Sequence, residues 1–273
     1  KIVDFKILNL FGLQILRYLF SKIINLIFSF FFHNKKILHN YNNDGYLLID
    51  NFLDLHEYKK LKDEFEIIIN TKGKNVYESA NDNHKTLNSS INYTTYDYED
   101  NSISEVKFPN IKKFYNNTKV NELFRNAENK KDIHLLMRLE RIQTKDNFKN
   151  DANAHWHVDT FHDTHKGWLY LTDVKKENGP FNYLAGSNNF SFMRLIWEYK
   201  NSTQFFFNKN LTPFFVNEEI SKKYESKKIQ FTCHENCFLI ANTHGYHRRG
   251  DADPNQIRDA IAFYTRENPF KKF

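Results

Sequence analysis

Cysteine is nearly absent, since the 273 residues hold only Cys233 and Cys237, in the run Cys-His-Glu-Asn-Cys. A disulfide framework would need more of them, and a zinc site would need two further well-spaced ligands. The pair is expected to be incidental thiols in a turn between strands, in a reducing, cytoplasmic setting. Glycine and proline are also sparse, at 8 and 5. No linker or internal repeat divides the chain, so one main domain is expected. No uninterrupted apolar run reaches the roughly 18 to 20 residues of a membrane span, and no small-residue cleavage site follows the apolar N-terminal stretch.

What the chain has in quantity is aromatic residues, 27 Phe and 15 Tyr among them, within a hydrophobic fraction of 40%. That is ample for a large core and excludes a disordered chain. The net charge of +6 favours anionic partners. Lys and Arg are scattered and no nucleic-acid module is legible, so no nucleic-acid role is expected.

Residues 1–32 are the compositional outlier. Ile7, Leu10, Phe11, Ile15, Leu19 and Phe20 recur at helical spacing between basic residues. An amphipathic helical segment over 1–40 follows, which either packs on the domain or makes peripheral contact with a membrane. The domain itself is placed at 41–273. A strand is expected at 45–50, then a helix capped by Asp54 with Glu57 completing a capping box. Residues 71–108 are polar and aperiodic and read as a long loop or lid. After a short helix at 119–128 the chain becomes short strands separated by turn signals, the pattern of a β sandwich or barrel. Those strands are expected at 133–143, 155–161, 167–174, 180–184, 228–232, 237–242 and 257–265, with an insertion at about 188–225.

Two segments carry chemistry. In His155-Trp156-His157-Val158-Asp159, residues two apart on a strand share a face, so His157 and Asp159 can grip one metal together. With a later histidine they would form the two-His, one-carboxylate set that leaves positions open on Fe(II). His155 satisfies the same geometry with His157. His162 and His165 are expected at the pocket mouth or the surface. The second segment is Thr243-His244-Gly245-Tyr246-His247-Arg248-Arg249-Gly250, followed by Arg258 at the start of an apolar run. A buried Arg can hold a carboxylate through two parallel hydrogen bonds, which a Lys cannot. Arg248 and Arg249 fit a solvated turn.

The order and spacing of Trp156-His157-Val158-Asp159, Lys166 to Val174, Asn178-Gly179-Pro180-Phe181 and Ala185-Gly186-Ser187 resemble the phytanoyl-CoA dioxygenase family of Fe(II)/2-oxoglutarate oxygenases. The opening run Asp44 to Leu53 is similar too, so the resemblance covers about 41–70 and 133–266. It implies a mostly β fold with flanking helices, a double-stranded β-helix or jelly-roll of cupin type. It also implies that His157, Asp159 and His247, rather than His244, hold Fe(II). Arg258 would then bind the far carboxylate of 2-oxoglutarate and Trp168 would line that pocket. With O2 as the further co-substrate, a C–H bond of a small-molecule or lipid-linked substrate would be hydroxylated, with release of succinate and CO2. Asp159 argues against halogenation, which needs an open position in place of the carboxylate. A non-catalytic jelly-roll module at a membrane surface is the alternative. Asn188 stands where the family usually has a histidine, and residues 1–32 and 71–108 have no clear counterpart.

Overall fold

The computed structural model describes residues 6–32, 41–76, 90–98, 107–145, 151–207 and 214–265. Near the N-terminus lie α1 (Lys6–Leu10) and α2 (Leu13–Phe32), followed by β1 (Tyr46–Ile49) and α3 (Leu55–Lys72). Then come β2 (Lys74–Asn75), β3 (Ile91–Tyr98), α4 (Pro109–Tyr115), α5 (Thr118–Glu128), β4 (Leu136–Thr144) and β5 (His165–Tyr170). The remainder is β6 (Phe181–Leu184), α6 (Phe192–Phe207), α7 (Glu218–Lys222), β7 (Lys228–Gln230), β8 (Phe238–Asn242), β9 (His247–Arg249) and β10 (Ile257–Tyr264).

Ten strands form two antiparallel sheets among the described residues, a seven-stranded one ordered β1-β8-β5-β10-β4-β3-β2 and a three-stranded one ordered β7-β6-β9. The large sheet separates two environments by strand alternation. On β4, Met137 and Leu139 enter the main core while Arg138, Glu140 and Ile142 line a cavity on the other side. On β10, Ile261 and Phe263 join that core, whereas Arg258, Ala262 and Tyr264 line the cavity. Helices α3 and α5 cover the apolar side through Tyr58, Leu61, Phe65, Ile68, Leu123 and Phe124. Gly167 permits this close layer, because a Cβ there would sit 2.8 Å from Phe238 and 3.1 Å from Phe124.

Several sequence expectations are corrected. The 155–161 stretch is not a regular strand; only His157 pairs, in isolated bridges to Phe215 and His247. The 167–174 strand begins at His165 and stops at Tyr170. The 71–108 stretch contributes β2 and β3, and β3 pairs along the whole of β4, so its described part is sheet rather than lid. Its polar side chains hid the strand because one face of β3 packs on the cavity side, away from the apolar core. The stretches 77–89 and 99–106 lie outside the described residues. Asp54 caps α3 by accepting from the His56 amide at 2.9 Å, but Glu57 pairs with Lys113 instead of closing the capping box. Cys233 and Cys237 are joined in a disulfide across the turn that carries Asn236 at φ 63, with Cα atoms 6.6 Å apart. They are not incidental thiols, and the expectation of a reducing compartment that rested on them loses its support.

Helix α2 packs on the domain through polar groups. Lys22 Nζ (2.9 Å), Asn25 Nδ2 (2.8 Å) and Asn242 Nδ2 (3.0 Å) all donate to the buried Asp163 carboxylate. Gln14 Nε2 donates to Glu198 at 2.9 Å and to the Phe161 carbonyl at 3.0 Å. Glu198 also accepts from Arg194 Nε and from His244 Nε2, both at 2.7 Å. His244 Nδ1 lies 3.2 Å from Asp163, so this ring bridges the two acids. A separate buried acid, Glu128, accepts from His165 Nδ1 at 2.9 Å and from Thr265.

Burial alone would raise these three carboxyls, but their cationic partners and donors win. Asp163 is held well below the carboxylate range by Lys22 and His244. Glu198 is lowered by Arg194 and His244, and Glu128 is held at about 2 by His165 and Lys130. A lowered folded pKa gives stability that is present above the unfolded value and lost as pH falls through the folded one. Urea unfolding is therefore expected to show full stability above about pH 5 and a progressive loss towards pH 2, on the order of 3 kcal/mol from Glu128 alone. A midpoint unchanged between pH 6 and pH 3 would remove the stabilising role of these acids.

Candidate active site

His157 and His247 are tied to one another before any side chain is considered. The His157 amide donates to the His247 carbonyl at 2.9 Å and the His247 amide returns the bond at 3.0 Å. Such a doubly bonded antiparallel pair puts both Cβ atoms on one side, and the two rings lie with centroids 4.3 Å apart. The Asp159 amide donates to the Thr243 carbonyl at 3.1 Å, which fixes the third residue against the same loop. The ligand-type atoms of His157, Asp159 and His247 all lie within 4.8 Å of one another.

Both imidazoles are anchored in the same way, through Nδ1. His157 Nδ1 donates to the His155 carbonyl at 2.7 Å and His247 Nδ1 donates to the Gly245 carbonyl at 2.9 Å. A carbonyl only accepts, so each Nδ1 carries the proton and each Nε2 presents a lone pair. Burial, reinforced by His247 and opposed by Asp159, drives the His157 pKa down to about 3. That ring is neutral at physiological pH, as a metal ligand must be.

Asp159 is half-buried, and burial would raise its pKa, but Lys166 and then His247 pull it well below the carboxylate range. Lys166 Nζ lies 2.9 Å from Asp159 Oδ2, out of line for a hydrogen bond, so that shielded oxygen has no directed partner. Two Nε2 lone pairs and a carboxylate whose Oδ1 lies 3.7 Å from His247 Nε2 make a donor set of the two-His, one-carboxylate type, and it suits Fe(II).

The three residues lie on the wall of a cavity of about 370 Å³ between the two sheets. Trp168 and Tyr170 project into it from β5, and Phe181 faces Trp168 at 5.1 Å between centroids. Arg258 lines the same cavity and donates through Nη1 to the Gly179 carbonyl. It is half-buried; enclosure by protein lowers its pKa, with Tyr170 opposing and Arg249 adding repulsion.

His244 is separated from this group by its role in the Asp163–Glu198 network. His165, expected at the mouth or the surface, does line the cavity but is buried at 3% exposure and bonded to Glu128. Arg248 and Arg249 are not a solvated turn: Arg248 lies over the Trp156 ring at 5.3 Å, and Arg249 binds Asp151 at 3.0 Å. Both line the cavity. Lys166 and Arg138 also escaped sequence reasoning as site residues. The signal available was period two, since Lys166-x-Trp168-x-Tyr170 and Arg138-x-Glu140-x-Ile142 each place alternate residues on the cavity face.

Solved structures share this fold. The carbocyclase SnoK from nogalamycin biosynthesis, described as non-heme and alpha ketoglutarate dependent, superposes with a TM-score of 0.55 at 12% identity, over 85% of this chain and 83% of that one. EctD from S. alaskensis with bound Fe gives 0.55 at 13% identity, over 84% and 75%. HygX from Streptomyces hygroscopicus, with nickel and 2-oxoglutarate bound, gives 0.51 at 14% identity, over 85% and 87%. No curated protein matches the sequence closely enough to count as a relative. The family model for phytanoyl-CoA dioxygenase matches residues 41–231, most of the chain and the first two of the three clustered residues, so this chain belongs to the phytanoyl-CoA dioxygenase family of Fe(II)- and 2-oxoglutarate-dependent oxygenases, a double-stranded β-helix fold.

Proposed function

We propose that this chain hydroxylates a C–H bond of a small anionic or lipid-linked molecule, with Fe(II) held by His157, Asp159 and His247 and the far carboxylate of 2-oxoglutarate held by Arg258. The observation that carries the reading is the convergence within 4.8 Å of one ligand atom from each of His157, Asp159 and His247, with both Nδ1 protons bound to carbonyls. When bound, iron and 2-oxoglutarate supply the oxidising chemistry, with succinate and CO2 as products.

The chain's own residues supply position and exclusion. The His155 and Gly245 carbonyls hold both imidazoles in one tautomer, which fixes the direction of each lone pair. Arg258, fed from β10, sets the co-substrate's distance from that cluster. Trp168 and Phe181 form an apolar wall that keeps water from the reacting end. Arg248, in the same lining and set over the Trp156 ring, has no ion pair among the described residues and favours an anionic group on the substrate. Succinate formation screened against a panel of anionic metabolites tests this: a stimulating compound identifies the substrate class, and stimulation by neutral compounds alone would refute the anionic preference.

Lys166 has a separate consequence. Its ammonium stands against the one carboxylate that a divalent cation would use, so cation binding must displace it against like-charge repulsion. Lys166 is partly exposed and screened, which keeps the effect modest. Lys166→Met is expected to tighten Co(II) binding about tenfold in a spectroscopic titration, roughly 1.4 kcal/mol. Equal or weaker binding would show that Lys166 does not compete for Asp159.

A further inference from the structure

Helix α2 is amphipathic in the inverted sense. Its inward stripe is the buried Gln14, Tyr18 and Ser21 with the half-buried Lys22 and Asn25, spaced to one face and tied to Asp163 and Glu198. The opposite face presents Leu16 at 64% exposure, Phe20 at 56%, Ile23 at 54% and Leu26 at 62%. An ordinary surface helix does the reverse, burying its apolar face and showing its polar one.

The apolar surface continues onto the neighbouring helices. Helix α1 reaches α6 through the Tyr199 hydroxyl, which donates to the Leu10 carbonyl at 3.1 Å. Gly12, at φ 88, makes the left-handed turn between α1 and α2. On this side Phe11 is 83% exposed and Phe192 is 74% exposed. Isolated exposed apolar residues are normal, but a concentration of them on three mutually packed helices marks an interaction surface.

Charge says what that surface meets. Residues 1–36 contain six Lys or Arg and one acid, Asp4. Across α1, α2 and α6 the sole acid is Glu198, which is 1% exposed and turned inward. Lys200 stands exposed on the same α6 face as Phe192 and Ile196. Among the described side chains of these helices Lys200 is exposed and no carboxylate faces outward, in a segment whose sequence is rich in Lys and Arg, and that balance complements an anionic lipid interface. No helix among the described residues is long and apolar enough to cross a membrane, so the fit is to a helix lying in the interface plane.

We propose that α1, α2 and α6 form a rigid face that seats the protein on an anionic lipid bilayer, with the polar stripe of α2 locking the helix to the domain and its apolar stripe entering the lipid. The proposal stands apart from the iron site, since neither metal nor co-substrate is needed for it.

The test is sedimentation of the full chain with vesicles of phosphatidylcholine alone or mixed with phosphatidylglycerol. Binding is expected to the mixed vesicles and to weaken with added salt. The double variant Phe20→Ser, Phe192→Ser is expected to lose about 100-fold in partitioning, roughly tenfold per side chain, with circular dichroism and metal-dependent succinate formation unchanged. The pair Phe11→Ser, Leu16→Ser probes the same face independently should the first variant misfold. No binding to either vesicle overturns the proposal, as does undiminished binding by both double variants. Size-exclusion chromatography that shows a dimer turned into a monomer by the same changes would assign the face to a second copy and overturn it equally.

Discussion

His157→Ala, Asp159→Ala and His247→Ala should each abolish metal-dependent succinate formation, by at least about a thousandfold, equivalent to roughly 4 kcal/mol of lost transition-state stabilisation. The three residues are not interchangeable in what they contribute. Each histidine gives one Nε2 whose direction is fixed by a carbonyl on the far side of its ring. Asp159 gives the only negative charge among the three, together with an oxygen that has no directed partner. Loss of a histidine leaves a two-ligand site; loss of Asp159 also leaves a divalent charge uncompensated beside Lys166. Co(II) titration should therefore show weakened binding in all three, weakest in Asp159→Ala. The His157 and His247 backbones pair through atoms that every residue has, so the bridge between them survives the substitutions. Near-native melting temperatures are expected. Succinate formation that persists in any of the three would sink the assignment of that residue as a ligand, whatever the others show.

The strands facing the core were legible because their alternation is apolar on one side: β4, β5, β8 and β10 all lie close to where the periodicity put them. Strand β3 was not, since Tyr93, Thr94, Thr95 and Asp97 resemble a polar loop until β4 is seen alongside. The His157–Asp159 segment carried the reverse error. Two residues on a strand share a face, but here the segment is irregular, and it is the bridge from His157 to His247 that brings the side chains together. That bridge joins positions ninety residues apart along the chain, and no local pattern encodes it. Helix α2 was read with the correct period but with no means of telling which face turns inward. The acids that decide it, Asp163 and Glu198, are supplied by distant segments. Paired cations were the largest omission, because Arg194, Arg249 and Lys166 look like ordinary surface charges until their carboxylate partners are placed.

Arg258→Gln is expected to raise the KM for 2-oxoglutarate about 100-fold while leaving Co(II) affinity unchanged. Arg249 stands in the same cavity as Arg258 and disfavours the Arg258 charge. Arg249 is neutralised by Asp151 at 3.0 Å. Among the described residues no carboxylate pairs directly with Arg258, which Glu140 and Asp151 favour only from a distance; its bond goes to the neutral Gly179 carbonyl. An enclosed guanidinium without an acid costs free energy, and a dicarboxylate entering the cavity would relieve that cost through two charge-assisted bonds. Each such bond contributes roughly 1.5–3 kcal/mol. Removing the fork while keeping an amide of similar reach should forfeit about 2.7 kcal/mol, which is the hundredfold stated. Arg258→Lys should recover only part of the loss, since an ammonium cannot present two parallel donors. The split between KM and metal affinity separates this role from a structural one, because a cavity that merely collapsed would lose both together. Unchanged KM in Arg258→Gln would remove Arg258 from co-substrate binding and leave Arg249 or Arg138 as the group to test next.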